Sequence, residues 1–277
     1  MRKTVIASLI AVPLLAACSP KPAPVTTPAA KPAVSPPAIA AAPQPPEVSS
    51  NTLMHAVFGE GWYAEDRQAV VTLPIPDKRD EEMPYVVTAA GQTTLSTGET
   101  VLATNSAPAD ENGHAFGTRA NSGVLGIYLL RKVDGNWQVI KRLDSVASLG
   151  SDEKIGIVKW LDLGKDRPGL AVLHGTETQG FVEYLALFDL RAEHIHDLTD
   201  GAIRTQSGNT ASCNPDGKVE CFETYSTWTL QPSKSGAALN DLVFSFKEFE
   251  TPAGSARYAF DGKRYRLVSG ANPVRGI

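Results

Sequence analysis

Val124-Leu125-Gly126-Ile127-Tyr128-Leu129-Leu130-Arg131-Lys132, then Val133-Asp134-Gly135-Asn136, then Trp137-Gln138-Val139-Ile140-Lys141-Arg142-Leu143, is the stretch that decides the fold. Two runs rich in β-branched, aromatic and leucine side chains flank an Asp-Gly turn, which is the signature of a β-hairpin. The same pattern recurs on both sides. Expected strands are Ala69–Leu73, Tyr85–Ala89, Thr100–Asn105, Val124–Lys132, Trp137–Leu143, Ile155–Asp162, Leu170–His174, Phe181–Leu190, His194–Leu198, Glu220–Leu230, Asp241–Lys247, Arg257–Phe260 and Tyr265–Val268. Gly, Pro, Asn or Asp separates them, with a second explicit turn at Asp261-Gly262-Lys263. The chain therefore reads as all-β.

One helix is expected. Ser49-Ser50-Asn51 offers capping side chains, Leu53, Met54, Val57 and Phe58 share one helical face, and Gly59 stops the run. Beyond it a repeat of antiparallel four-stranded units is visible. Val101-Leu102-Ala103, Leu170-Ala171-Val172 and Leu242-Val243-Phe244 each open a strand, spaced 69 and then 72 residues apart, and each is followed by two further strands. Two architectures fit: a β-propeller-like arrangement of such units, or a two-sheet β-sandwich. Asp162-Leu163-Gly164-Lys165-Asp166-Arg167-Pro168-Gly169-Leu170-Ala171-Val172 faintly resembles the Asp-and-Gly turn before a strand in FG-GAP propeller blades. Lys165, Arg167 and Pro168 stand where that pattern has metal-friendly residues, so calcium is not expected.

The N-terminus says where the chain goes. Arg2 and Lys3 precede an apolar run from Thr4 to Leu15, shorter than the roughly 20 residues a spanning helix needs. This is the order of a secretory signal. Leu15-Ala16-Ala17-Cys18 resembles the lipobox of bacterial lipoproteins. That resemblance implies cleavage after residue 17, lipidation of Cys18 and attachment to a membrane. Ser19 in place of Asp implies, by the same resemblance, the outer membrane with the protein facing the periplasm. Residues 18–50 carry the lipidated Cys and a Pro/Ala-rich stretch without aromatics, composition that cannot bury enough apolar surface to fold. At about 3.1 Å per residue in extended polyproline geometry such a tether reaches on the order of 90 Å. Residues 51–277 form a single all-β domain in this reading.

Loss of Arg2 and Lys3 with the signal takes the net charge from −4 to −6. That mild acidity argues against nucleic acid as a partner. Cys18 being assigned to lipid, Cys213 and Cys221 remain as an even pair in an oxidising compartment, with Asn214-Pro215-Asp216-Gly217 between them as a turn signal. A Cys213–Cys221 disulfide is expected.

Candidate chemistry is sparse. His194-x-His196 places two imidazoles on one face of an expected strand, half of a metal site that His174 or Asp197 could complete; exposed strand histidines are the plainer reading, and no metal or cofactor is assigned. Ser151-Asp152-Glu153-Lys154 has the Ser-x-x-Lys spacing of cell-wall serine acylases. Their companion motifs, Ser-Asp-Asn and Lys-Thr-Gly, are missing, and the segment looks like a turn rather than a helix start. No catalytic residues are assigned. Two stretches are candidates for a binding surface: Trp62 and Tyr63 after the glycine-flanked Glu60, and the polar loop Ala107–Asn121 with Asp110, Glu111, His114 and Arg119. Core cover for the first and a plain hairpin tip for the second are the bland alternatives. The expected function is a lipid-anchored periplasmic binding or scaffold lipoprotein without catalytic activity and with a protein partner in the envelope. The alternative is an inhibitor or immunity protein against an envelope-targeting hydrolase.

Overall fold

The structure, a computed structural model, describes residues 49–276 except 76–77, 178–179, 211 and 215–218. The signal segment, Cys18, the tether as far as residue 48 and the Pro215-Asp216-Gly217 part of the expected turn lie outside the described residues.

Helix α1 (Ser50–Phe58) is where the sequence places it, and Leu53, Met54, Val57 and Phe58 are its buried residues. The Ser49 carbonyl accepts the Thr52 N–H at 3.0 Å, while its hydroxyl caps nothing. Gly59, at φ +57, ends the helix in backbone that disfavours a Cβ. Burying side chains of this kind contributes about 1.5–3 kcal/mol each, which is what holds so short a helix in place. Among the described residues no helix is long and apolar enough to cross a membrane.

The strands form two antiparallel meanders. β1 (Trp62–Tyr63), β2 (Gln68–Ile75), β3 (Lys78–Thr94), β4 (Thr100–Pro108), β5 (Gly123–Val133) and β6 (Asn136–Leu149) make a six-stranded sheet in chain order. β7 (Ile157–Gly164), β8 (Arg167–Glu177), β9 (Phe181–Asp189), β10 (Arg204–Gly208), β11 (Glu223–Gln231), β12 (Asp241–Glu248), β13 (Thr251–Phe260) and β14 (Tyr265–Gly270) make an eight-stranded one, again in chain order. The protein is all-β with two sheets. The strands do not separate into propeller-like units of four. The reason is β10: Arg204-Thr205-Gln206-Ser207-Gly208 has no apolar alternation, yet it pairs with both β9 and β11 and fuses the second expected unit to the third. The expected strand His194–Leu198 does not form either. There the Asp197 carboxylate takes the N–H groups of Leu187, Thr199 and Gly201 and folds the segment into a loop instead.

Three apolar clusters fill the fold. β5 explains two of them. Val124, Tyr128 and Leu130 point toward α1 with Leu53, Met54 and Phe58, while Leu125, Ile127 and Leu129 point the other way, onto Leu170, Val172, Ala186 and Phe188 of the eight-stranded sheet. A strand covered on both faces has no polar side, so its sequence is a continuous apolar run. β6 at the sheet edge alternates. The third cluster belongs to the eight-stranded sheet alone. Ala171, Leu185 and Leu187 meet Leu242, Phe244, Phe246 and Tyr258, which requires the sheet to roll over on itself. The roll is fastened where Asn240 donates its N–H to the Leu163 carbonyl and Tyr265 donates its N–H to the Leu198 carbonyl.

A polar latch ties α1 to the six-stranded sheet. Buried Tyr128 donates its hydroxyl to Asp144 Oδ1 at 2.8 Å, and Arg142 Nε reaches both Asp144 oxygens at 3.0 and 2.9 Å. Arg142 Nη1 also donates to the Val57 carbonyl at 3.2 Å, and the guanidinium lies 5.6 Å from the Phe58 ring centre. It thereby satisfies an unpaired carbonyl of the last turn of α1 with a cation, the favourable sign at that end. Burial first, then the Asp144 charge, push the Tyr128 hydroxyl well above the usual phenol range.

Candidate functional site

In a meander, alternate connections fall at one end of a sheet. The β4–β5, β6–β7, β8–β9, β10–β11 and β12–β13 connections share such an end, and hydrogen bonds lock the first two together across the sheets. Asp152 N–H donates to the Arg119 carbonyl at 3.3 Å, and Glu153 N–H to the Asn121 carbonyl at 2.9 Å. Asn105 on β4 completes the lock, donating to the Glu153 carbonyl and accepting from Ile155 N–H, both at 2.9 Å.

The β4–β5 loop is a built turn. Asp110 Oδ1 accepts the N–H groups of Asn112 and His114 at 2.9 Å, Gly113 follows at φ +77, and Ala109 and Ala115 bridge at the base. The His114 backbone N–H, before the other contacts, holds the Asp110 carboxyl below its usual range. Asp110 is thus spent on shaping its own loop. His114, 79 % exposed, sits with Nδ1 3.8 Å from Asp110 Oδ1, and Glu111 and Arg119 present exposed side chains. Trp62 and Tyr63 divide: Trp62 packs against the cluster beneath α1, and only Tyr63 faces outward. Between them and the loop lies β2, where Ala69 pairs with Trp62 while the Val70 side chain meets Gly113.

The Ser-x-x-Lys segment is a tight turn. Lys154 N–H donates to the Ser151 carbonyl at 3.0 Å, and Asp152 and Glu153 adopt φ +52 and +61. The Ser151 hydroxyl donates to the Gly175 carbonyl at 3.0 Å, an anchoring role rather than that of a nucleophile beside its base. Gly150 N–H donates to His174 Nδ1 at 3.3 Å, so the neutral ring carries its proton on Nε2. Burial lowers the His174 pKa, against a weaker opposing pull from Asp197, and Tyr184 stacks on the ring at 5.6 Å. Ser151, His174 and Gly175 wall a cavity of about 320 Å³ together with Lys154, Glu183 and Gln206.

The Asp162–Val172 segment turns through Lys165 and Asp166 as a hairpin, Gly164 pairing with Arg167, and borders a second open cavity of about 540 Å³ with Trp160 and Leu190. His194 and His196 lie in a loop, where His196 faces the carbonyls of His194 and Lys263 at 3.2 and 3.3 Å. Among the described residues no group of three or more His, Cys, Asp or Glu could hold a metal ion.

The Cys213–Cys221 disulfide is formed, with Cα atoms 5.1 Å apart. That lies inside the 4.4–6.8 Å window such a bridge requires. Asn209 closes the neck of the same β10–β11 loop, donating to the Glu220 carbonyl at 2.9 Å and accepting Phe222 N–H at 2.8 Å. As functional residues, the sequence marks His174 only as a metal-ligand candidate and marks neither Asn105 nor Asn209. Their partners lie on other strands, and no local pattern marks them. No protein-family model, curated protein or solved structure matches the chain.

Proposed function

We propose that this protein is a lipid-anchored envelope protein whose two-sheet head binds or scaffolds a protein partner and performs no catalysis. Cys18 carries the lipid, the Pro/Ala-rich segment is the spacer, and the outer membrane facing the periplasm is the location. The observation that carries the binding reading is the interlocked end of the two sheets. There the β4–β5 loop, the Ser151–Lys154 turn and the neck of the disulfide-closed loop are each fixed by hydrogen bonds to backbone. Loops set on a rigid sheet scaffold are where recognition residues concentrate. Of the polar side chains with acylase-like or metal-like spacing, Ser151 is engaged with the Gly175 carbonyl and Asp197 with three backbone N–H groups.

The anchor is tested by comparing the wild-type chain with Cys18→Ser in cells labelled with palmitate. The expected outcome is loss of both label and membrane association in the variant. A variant that stays in the membrane fraction overturns the reading. A second reading, a blocker of an incoming hydrolase, draws on the same stiffened loops, since a rigid projection suits an active-site cleft. Tight binding to one envelope-targeting hydrolase, with loss of its activity, would favour it.

A further inference from the structure

Phe249 occupies a position that a two-residue hairpin with positive φ at its first residue alone gives to Gly. It is the first of two residues between the paired Glu248 and Thr251, at φ +48, with the side chain 46 % exposed. Left-handed backbone is disfavoured for any residue with a Cβ and is most unusual for a bulky one. The other non-glycine residues that adopt it here are four Asp (134, 152, 166 and 200), Arg67 and Glu153, so Phe249 is the single aromatic among the described residues to do so. The backbone here calls for Gly, so the fold's turn geometry does not account for an aromatic ring held outward at this position. Strain of this kind clusters at working surfaces.

The surroundings make the tip part of a stiff ridge. Phe249 N–H donates to the Glu223 carbonyl at 2.8 Å. Arg275 lies 3.5 Å from both Glu220 Oε2 and Glu248 Oε1, with its guanidinium 4.8 Å from the Phe222 ring centre. It joins the β12–β13 tip to the Glu220–Phe222 stretch before β11, where Cys221 is disulfide-bonded and the neighbouring Val219 also projects into solvent. Around this apolar crest stand the carboxylates of Glu220, Glu223, Glu248 and Glu250, against Lys247 and Arg275. Among the described residues the crest is therefore rimmed by two negative charges in excess.

We propose that this ridge is a docking surface for a protein partner that presents an apolar pocket bordered by Lys or Arg, with Phe249 as the anchor. The inference rests on the reading of the chain as a binding or scaffold protein and names the surface it uses. An exposed aromatic on a rigid support is the usual form of an interface anchor. The acidic rim sets the sign of the partner and opposes insertion into an anionic lipid surface.

The test uses the intact lipoprotein in cells, with p-benzoylphenylalanine in place of Phe249 and, as control, in place of Leu267 on β14. Illumination is expected to give an adduct of discrete mass from position 249 and none from 267. The cross-linked peptide should be flanked by Lys or Arg, and adduct yield should fall about tenfold, the scale of a lost interface contact, when Glu220→Gln and Glu250→Gln are combined. No adduct above the 267 control, an adduct with lipid, an acidic cross-linked segment or a yield indifferent to the two Gln changes overturns the proposal. A second measurement needs no partner. Purified full-length Phe249→Gly is expected to melt at or above the wild-type temperature, because Gly suits a positive φ at the first turn position. A fall of more than about 5 °C would make the ring a structural member and end the proposal. Failure of Cys18→Ser to leave the membrane bears on the anchor alone and leaves the adduct result intact.

Discussion

The six-stranded sheet buries its second face under a separate element, α1, whereas the eight-stranded sheet covers its second face with its own C-terminal strands. The difference shows in what fastens each cover. α1 is held by four apolar side chains and one cationic latch, Arg142 on the Val57 carbonyl. The rolled sheet is held by a continuous strand ladder plus the Asn240–Leu163 and Tyr265–Leu198 backbone bonds. A cover that is part of the sheet cannot leave without breaking the sheet; a helix laid on it can.

The sharpest way to break this contrast is in the rolled core. Phe244 is fully buried and its ring meets those of Phe246, Tyr258 and Trp228. Phe244→Ala is expected to lower stability by about 3–5 kcal/mol, read as a fall in the urea midpoint. An effect under about 1 kcal/mol would mean that the strands do not pack across the roll. Under α1, Leu53→Ala is expected to cost about 2–5 kcal/mol. Trp62 and Trp137 pack against that cluster and Trp228 against the other, so single-Trp versions report on each cover separately. The Leu53 change should move the Trp137 signal at least as far as the Trp228 signal.

Smaller effects sharpen the picture. Cys213→Ser removes a bridge spanning eight positions and is expected to cost about 2–3 kcal/mol on the loop-entropy account. Because Asn209 keeps the neck closed, the native spectrum should survive that loss. At the β5–β6 tip Gly135 sits at φ +87 in open space, so Gly135→Ala is expected to cost about 1 kcal/mol through backbone alone.

The pH dependence has a definite sign. Burial depresses the His174 pKa, so the unfolded chain takes up the proton first as pH falls. The stability this residue contributes is complete above its ordinary value of about 6.5 and declines as pH drops below it. Melting temperature should therefore fall more between pH 7.5 and pH 5.5 in the wild type than in His174→Gln. Equal slopes would remove His174 from the account.

The sequence was readable where local pattern and tertiary setting agree. Alternation in β6, the Asp134-Gly135 turn and the 3.6-residue spacing of Leu53, Met54, Val57 and Phe58 all mark elements that exist. It was unreadable where strands distant in sequence, or a side chain's capture of backbone N–H groups, set the course of the chain. β10 is a strand because β9 and β11 flank it, and residues 194–198 are a loop because Asp197 captures three N–H groups. Of the binding candidates, Asp110 also shapes its loop through Oδ1 and Trp62 packs partly buried against the cluster beneath α1, while Phe249 carries no sequence mark, because only its φ value singles it out.

The position of α1 has a mechanical side. Among the described residues α1 precedes every strand, so a pull applied at its N-terminal end loads Ser50–Phe58 before it loads a strand. Four side chains and a guanidinium resist there, against dozens of ladder bonds behind them. Under rising tension the helix should peel away as a sacrificial link while both sheets stay folded.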